Sequence, residues 1–329
     1  MPPLLDRLGR PLRNLRLSVT DRCNLRCQYC MPEEEYVWLP KSDVLRFEET
    51  MRLVDVFVGL GVDKVRLTGG EPLLHPKVVE MVGFLGSVGL SDIALTTNAT
   101  RLARLAGPLR DAGLHRINVS MDSLDADRFK RMTRGGKLAG VLEGIEAARA
   151  VGFAPIKLNA VVVRGENDAE LEALTRWCWE RDIVPRFLEV MAIGEGAKMQ
   201  DRVVTAREMR VMLASLIDAS ETAEAEADRG PAKYVRARHD RSKRIGFISG
   251  TSDTYCKGCD RLRVAADGTL RPCLATNDGV EAGDTARAGD VDGVVTSVAR
   301  AWEKKPDGEV WKGCTEATAA EVSIRGIGG

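Results

Sequence analysis

The first two-thirds of the chain alternates short apolar runs with longer amphipathic stretches. The short runs are rich in β-branched residues and are bounded by turn residues, which predicts strands. Six such strands are predicted, at residues 15–20, 64–68, 93–97, 116–120, 156–163 and 184–190. Helices are predicted between them, at residues 48–59, 78–88, 101–112, 141–151 and 169–181. Several of these helical stretches end at a glycine, as helices commonly do.

Six strand–helix units in series predict a parallel sheet. A closed eight-stranded barrel would need two more units, so we predict an α/β fold with an incomplete (βα)6 parallel barrel, open on one side. The regular alternation of predicted strands and helices ends at about residue 195. A helix is predicted beyond it at residues 206–219, a polar loop at 221–229, and strands near 245–249, 262–264 and 269–272. We therefore expect a barrel domain at residues 1–195 and a C-terminal domain at residues 196–329.

Polar residues cluster at the carboxyl ends of the predicted strands, the face on which parallel βα barrels bind ligands. They are Thr68-Gly69-Gly70-Glu71, Thr96-Thr97-Asn98, Ser120-Met121-Asp122 and Met191.

The amino-acid composition excludes several classes of function. The 329 residues include 48 Lys and Arg and 48 Asp and Glu, a net charge of zero, so the chain lacks the basic footprint of a nucleic-acid or membrane-surface protein. It has neither a long apolar run nor the hydrophobic core of a signal peptide. We expect a cytoplasmic protein that binds neither nucleic acid nor membrane. In a reducing compartment, its eight cysteines favour metal binding over disulfides.

Three of these cysteines, Cys23, Cys27 and Cys30, follow the first predicted strand with the spacing C-x3-C-x2-C. Three close thiolates can hold an iron–sulfur cluster, and a missing fourth ligand leaves one iron open for catalysis. A zinc knuckle is the alternative, but no nearby His or fourth Cys would close a tetrahedral site. With Tyr29 before the third cysteine, the motif resembles that of the radical S-adenosylmethionine (SAM) superfamily.

Gly69-Gly70-Glu71-Pro72 follows the second predicted strand. The glycines allow backbone amides to approach a ligand, and the carboxylate can accept from an ammonium group. A plain turn before the next helix is the other interpretation. In radical SAM enzymes a motif of this kind holds the amino group of SAM.

A second group, Cys256, Cys259 and Cys273, lies in the C-terminal part together with Arg261 and Arg263. Half of a zinc ribbon is the alternative here, but a ribbon requires a second C-x2-C pair. Three thiolates again suggest a cluster with an open iron.

These residues, with the segment from Leu15 to Cys23 and the terminal Ile327-Gly328-Gly329, resemble the GTP 3′,8-cyclase family of molybdenum cofactor biosynthesis. The resemblance spans the chain from about Arg13. It implies two [4Fe–4S] clusters, the first bound by Cys23, Cys27 and Cys30 and the second by Cys256, Cys259 and Cys273. It also implies the cofactor SAM, with contacts from Tyr29, Gly70, Glu71, Ser120 and Met191.

For GTP, the resemblance implies contacts from Arg16, Arg66, Thr96, Lys157, Arg261, Leu262 and Arg263. It implies catalytic roles for Arg16, Arg261, Arg263, Gly328 and Gly329. The chemistry agrees, because arginine binds phosphate through two parallel hydrogen bonds. Arg16, Arg66 and Lys157 each interrupt an otherwise apolar strand, so we expect them to face a buried lumen rather than solvent.

The implied reaction converts GTP to (8S)-3′,8-cyclo-7,8-dihydroguanosine 5′-triphosphate, the first step of the pathway. A 5′-deoxyadenosyl radical removes the 3′-hydrogen of the ribose, and C3′ then attacks C8 of the guanine. The implied partners are a flavodoxin- or ferredoxin-like electron donor, a downstream cyclic pyranopterin monophosphate synthase, and a second copy of the chain in a homodimer.

Two alternatives remain open at this point. A radical SAM enzyme that modifies a peptide would share both cysteine groups but would not need a triphosphate pocket. A non-catalytic iron–sulfur electron carrier would need neither the Gly-Gly-Glu-Pro segment nor an open iron.

Overall fold

The computed structural model describes residues 3–31, 36–225, 230–250 and 252–311. Within these residues one sheet is formed by β1 (Asn14–Ser18), β2 (Lys64–Thr68), β3 (Asp92–Thr97), β4 (Arg116–Ser120), β5 (Lys157–Val162), β6 (Val184–Glu189), β7 (Glu224–Ala225), β8 (Lys233–Arg236), β9 (Arg244–Ile248), β10 (Arg261–Val264) and β11 (Leu270–Arg271). The strand order is β11-β10-β1-β2-β3-β4-β5-β6-β9-β8-β7.

The helices are α1 (Phe47–Gly59), α2 (Val78–Ser87), α3 (Leu102–Asp111), α4 (Ala126–Met132), α5 (Leu138–Ala150), α6 (Leu171–Trp179), α7 (Ala206–Met212), α8 (Gly283–Ala288) and α9 (Val291–Glu303). The alternation of β1 to β6 with α1 to α6 confirms the predicted α/β fold with parallel strands. No helix of the described part of the chain is long and apolar enough to cross a membrane.

The C-terminal part extends this sheet at both edges. β10 pairs in parallel with β1, and β9 pairs in parallel with β6. The parallel run therefore has eight strands rather than the six predicted. β11, β8 and β7 then add to it in antiparallel pairs. The sheet stays open, because β11 and β7 are its two edges.

Other differences from the sequence prediction concern short elements. The helix predicted at 206–219 ends at Met212, and α4, α8, α9, β7 and β8 were not predicted. Local caps account for some of these helices: the Asp125 carboxylate accepts from the Arg128 amide at the start of α4, and Asp290 accepts from the Gly293 amide at the start of α9. Gly328 and Gly329, to which a catalytic role was assigned, lie outside the described residues.

The strands place apolar residues on one face and mainly polar residues on the other. Leu15, Leu67 and Val119, for example, are at most 1% exposed and belong to the main hydrophobic core. Helices cover this face, so the apolar positions of the strands stabilise the domain by burial. The opposite face remains available for a ligand.

We predict opposite effects for two alanine substitutions in α5, which packs against α3. A Cβ at Gly144 would lie 2.3 Å from the Ala99 carbonyl oxygen, whereas the nearest atom to a Cβ at Gly140 is 3.9 Å away. Gly144→Ala should lower the free energy of unfolding by about 1–3 kcal/mol. Gly140→Ala should raise it by up to ~1 kcal/mol, because alanine favours helix. Urea unfolding followed by circular dichroism measures both, and equal shifts would contradict the packing described here.

Candidate functional site

The polar face of the parallel sheet lines a cavity of roughly 1880 Å³, including the part that opens to solvent. Alternate strand residues face it: Asn14, Arg16, Lys64, Arg66, Thr68, Asp92, Ala94, Thr96, Arg116, Ser120, Asn159, Val161, Arg186 and Leu188. The lining runs from the cysteine loop after β1 to Arg261 on β10, so one continuous space reaches both.

The first cysteine group lies in the loop after β1, and Cys23, Cys27 and Cys30 all line the cavity. The Arg26 and Gln28 amides pin this loop to the end of α4 by donating to the Thr133 and Met132 carbonyls, both at 3.0 Å. Burial raises the pKa of Cys27 well above its ordinary value, and nearby Asp122 and the other two cysteines raise it further. Three thiolates at this position therefore require a compensating cation such as iron.

Gly69 and Gly70 bring the end of β2 against this loop. The Gly70 amide donates to the Thr20 carbonyl at 2.8 Å, and the Glu71 amide donates to the Arg22 carbonyl at 2.7 Å. A Cβ at Gly70 would lie 2.3 Å from the Arg22 oxygen, a distance that side-chain atoms do not tolerate. Glycine is therefore required here by the close approach of two backbones.

The Glu71 carboxylate connects several strand ends. It accepts hydrogen bonds from the Leu73 amide (2.9 Å), the Thr97 hydroxyl (2.7 Å) and the Asn98 amide (2.7 Å). Burial raises the pKa of Glu71 to about 7, although these three hydrogen bonds act in the opposite direction. A carboxylate has about four acceptor positions, so Glu71 can accept one further hydrogen bond from a ligand.

Tyr29 and Asp122 form a second fixed polar pair in the cavity. The Tyr29 hydroxyl donates to Asp122 Oδ2 at 2.7 Å, and the Val161 amide donates to Oδ1 at 2.8 Å. Burial raises the pKa of Asp122 to about 6, and it also raises the pKa of Tyr29 well above its ordinary value. This contact orients the Tyr29 ring beside the cysteine loop.

Guanidinium groups crowd the part of the cavity formed by β10, β1, β2 and β6. Arg263 and Arg16 are register neighbours on β10 and β1, and Arg16 and Arg66 are register neighbours on β1 and β2. Arg186 approaches from β6 and donates to Asn118 Oδ1 at 2.7 Å. Arg116 is ion-paired with Asp92.

Burial and the mutual repulsion of these arginines lower the pKa values of Arg16, Arg66 and Arg263. Burial lowers the pKa of Arg16 well below its ordinary value, and Arg263 and Arg66 lower it further. Burial, Arg186 and Arg116 together lower the pKa of Arg66 to about 9. Burial and Arg261 lower the pKa of Arg263 to about 10. Since arginine keeps its proton in proteins, a bound polyanion would relieve this repulsion.

The second cysteine group adjoins the arginines. Cys256 and Cys259 both precede β10, and the Cys259 amide donates to the Cys256 carbonyl at 3.1 Å. Burial tends to raise the pKa of Cys259, but Arg261 and Lys305 outweigh it and lower that pKa to about 6. Cys273 follows β11, and its sulfur accepts from the Ala275 amide at 3.4 Å. Thiolate character at Cys259 suits it to metal binding.

Most of the residues assigned from the sequence lie together. Those that line the cavity are Arg16, Cys23, Cys27, Tyr29, Cys30, Arg66, Gly70, Glu71, Thr96, Ser120, Met191 and Arg261. Lys157 and Arg263 are 8% and 6% exposed and do not line it directly. Leu262 faces the hydrophobic core, so its side chain is turned away from any nucleotide in the cavity.

Several cavity residues were not assigned from the sequence: Lys64, Asp92, Arg116, Asn159 and Arg186. The two-residue alternation of each strand was the available signal, because these residues share the polar face with Arg16 and Arg66. The buried polar atoms on this face include Thr96 Oγ1, Asn118 Nδ2 and Asn159 Oδ1, which have no hydrogen-bond partner among the described residues. Such atoms normally have partners, so a polar ligand fits the cavity.

Comparison with known proteins identifies the family of the chain. A model of the radical SAM superfamily matches residues 17–178, and one described as molybdenum cofactor synthesis C matches residues 183–311. A GTP 3′,8-cyclase of Marinobacter nauticus is 43% identical over 312 residues, 92% of each chain. That of Paracoccus denitrificans is 41% identical over 328 residues, 98% of this chain and 94% of its own. The chain belongs to the GTP 3′,8-cyclase family of radical SAM enzymes.

Solved structures support the fold alone. Streptococcus suis SuiB gives a TM-score of 0.60 at 14% identity, covering 92% of this chain and 68% of SuiB. SuiB bound to S-adenosylmethionine gives 0.59 at 15% identity, covering 91% and 67%. The parallel sheet with its C-terminal extension is therefore of the radical SAM type.

Radical SAM membership implies a [4Fe–4S] cluster and SAM. Cys23, Cys27 and Cys30 fit this cluster, since three thiols converge on a cavity with space beside them. Among the described residues, no three His, Cys, Asp or Glu side chains could hold one metal ion. A [4Fe–4S] cluster binds its thiolates through different irons, so these cysteines need not meet at a single point.

We predict that Gly70→Ala disrupts the cysteine loop, because the added Cβ meets the Arg22 carbonyl at 2.3 Å. Overpacking of this kind costs about 1–3 kcal/mol. We expect SAM to bind at least about tenfold more weakly, which corresponds to ~1.4 kcal/mol. Iron content and anaerobic equilibrium binding of SAM measure the effect. Gly83→Ala in α2 is the matched control, because nothing lies within 4 Å of its Cβ. Wild-type SAM affinity in Gly70→Ala would contradict the assignment.

Proposed function

We propose that this chain converts GTP to (8S)-3′,8-cyclo-7,8-dihydroguanosine 5′-triphosphate, the first step of molybdenum cofactor biosynthesis. One cavity carries the proposal, because it joins the Cys23–Cys27–Cys30 loop to a cluster of buried arginines. A radical must be made next to the bond it attacks, and a triphosphate needs concentrated positive charge. Identities above 40% to GTP 3′,8-cyclases over more than 90% of the chain support the same conclusion.

The cofactor half of the cavity has the groups that SAM requires. Cys23, Cys27 and Cys30 bind three irons of the first cluster and leave one iron for SAM. Glu71 retains one acceptor position for an ammonium group. Tyr29 lies beside the cluster loop, held by Asp122. The remaining SAM contacts are assigned to Gly70, Ser120 and Met191.

The substrate half of the cavity holds the nucleotide. Arg16, Arg66 and Arg261 line it and bind the triphosphate, with Arg263 and Lys157 adding charge from just behind the lining. Thr96 Oγ1 is buried there without a hydrogen-bond partner in the described chain and can contact the nucleotide. Arginine forks match phosphate oxygens, so the cluster fixes the ribose for attack at C3′.

Cys256, Cys259 and Cys273 would hold the second [4Fe–4S] cluster, which would supply a binding position for the guanine. The first cluster and SAM, when bound, supply the 5′-deoxyadenosyl radical that removes the 3′-hydrogen. The chain's own residues position the ribose and guanine so that C3′ reaches C8, and they exclude water from the buried arginine cluster. A flavodoxin- or ferredoxin-like donor, a cyclic pyranopterin monophosphate synthase and a second copy of the chain are the proposed partners.

Anaerobic reconstitution with iron and sulfide, followed by SAM, dithionite and GTP, tests the proposal directly. We expect about eight irons per chain, 5′-deoxyadenosine, and a cyclised product with the same mass as GTP, because the 3′-hydrogen that is removed is replaced by one electron and one proton. Chromatography and NMR therefore distinguish this product from GTP, and mass spectrometry checks its formula. Cys256→Ala should keep the first cluster and SAM binding while GTP turnover disappears. SAM cleavage that GTP does not affect would contradict the proposal and favour the peptide-modifying alternative, and a protein that holds its clusters but cleaves no SAM would favour the electron carrier. Zinc at the second cysteine group would contradict the second cluster.

We predict that Arg261→Ala and Arg263→Ala each weaken GTP binding at least about tenfold. A charge-assisted hydrogen bond to a buried group contributes about 1.5–3 kcal/mol, and ~1.4 kcal/mol is a factor of ten. SAM binding should change little. Arg207→Ala, an exposed arginine on α7, is the control and should leave GTP affinity unchanged. Variants that lose thermal stability but keep GTP affinity would show that these arginines only join β10 to the sheet.

A further inference from the structure

Lys305 is a buried lysine beside the second cysteine group, and it lies outside the cavity lining. It is 2% exposed and follows α9. Its Nζ donates to the Arg261 carbonyl at 2.6 Å and to the Pro272 carbonyl at 2.9 Å. Arg261 lies two residues after Cys259 and Pro272 directly precedes Cys273, so these two carbonyls place the ammonium group between the segments that carry the two cysteines.

The backbone holds Lys305 in this position. The Arg10 guanidinium donates to the Lys305 carbonyl at 3.2 Å and to the Cys256 carbonyl at 3.0 Å. Arg10 is itself buried and ion-paired with Asp6 at 2.6 Å. The segment after α9 and the segment that carries Cys256 are therefore tied to the same N-terminal arginine, which limits how far Lys305 can move from Cys259.

The charge of Lys305 has no carboxylate to compensate it within the described residues. Its hydrogen bonds go to two neutral carbonyls. A buried ammonium group is costly unless it has a counter-charge. The neighbouring groups that can supply negative charge are the cysteine ligands Cys259 and Cys273. The lysine and the second cysteine group therefore form one buried charge system.

We propose that the buried Lys305 ammonium group is the counter-cation of the second [4Fe–4S] cluster and raises its reduction potential. This inference rests on the proposed function, which places that cluster on Cys256, Cys259 and Cys273. The local net charge is one of the factors that set the potential of such clusters. Reduction adds one negative charge, which a fixed ammonium group between the two cysteine segments stabilises. Lys305 acts through its charge and touches no substrate, so it is a positioning residue.

A redox titration followed by electron paramagnetic resonance tests this in the full chain with both clusters reconstituted. Added SAM changes the signal of the first cluster, which identifies the signal of the second. In Lys305→Met we expect the equilibrium constant for reduction of the second cluster to fall at least about tenfold. This is a shift of about 59 mV toward negative potential for one electron. The first cluster should keep its potential.

Lys304→Met is the matched control, because Lys304 is adjacent in sequence but exposed, and it should leave both potentials unchanged. Lys305→Arg retains the charge and should restore most of the potential. An unchanged potential in a Lys305→Met protein that holds the second cluster would overturn the inference.

If Lys305→Met loses the second cluster, the variants Lys305→Arg and Lys305→Gln distinguish an effect of charge from an effect of packing. Full iron occupancy with arginine but not with the neutral glutamine supports a counter-charge, whereas equal loss in both shows a packing role and overturns the inference. If the proposed function itself is wrong, the wild-type protein gives a different result from the one described above. A wild-type protein without iron at Cys256, Cys259 and Cys273 would refute the cluster assignment itself, before any Lys305 variant is compared.

Discussion

Repulsion among buried guanidinium groups is the constraint on which the rest of the site depends. Arg16, Arg66 and Arg263 lie side by side on three adjacent strands, in a medium where charge is poorly screened. The chain can hold them there only because the opposite face of the same strands is apolar and fully covered, as at Leu15 and Leu67. Burial on one face thus stabilises the sheet against repulsion on the other. A bound polyanion would offset the positive charge that remains.

The C-terminal part of the chain contributes strands and arginines to the same sheet. β10 extends the sheet next to β1, and this pairing brings Arg261 and Arg263 to the arginines of the barrel. The same short strand begins two residues after Cys259, so the second cysteine group is positioned by the sheet as well. A single strand pairing therefore sets the relation between the arginines of the cavity and the second cysteine group. On the other side of the sheet, β9 pairs in parallel with β6, the strand that carries Arg186.

The first cysteine loop depends on contacts that are distant in sequence. Glu71 receives hydrogen bonds from Thr97 and Asn98 at the end of β3, and Gly70 lies against the backbone of Arg22. The loop is pinned on its other side by carbonyls at the end of α4. Three strand ends and one helix end thus position the loop that carries the three thiols. Such pre-organisation is what a site needs if it is to bind a cluster and a cofactor in fixed geometry.

The sequence by itself determined the parallel α/β architecture, the two cysteine groups and the basic residues Arg16 and Arg66 within apolar strands, because periodicity and spacing are local properties of the chain. It did not determine that the parallel run has eight strands, since β9 and β10 are short and lack the strand–helix rhythm. It also missed Lys64, Asn159 and Arg186, whose common face appears only once the register of neighbouring strands is known. Lys305 shows the limit most clearly: between Glu303 and Pro306 nothing in its local sequence separates it from Lys304. Only the tertiary structure buries one of these two lysines against Cys259 and leaves the other in solvent, because burial depends on packing between segments far apart in the chain.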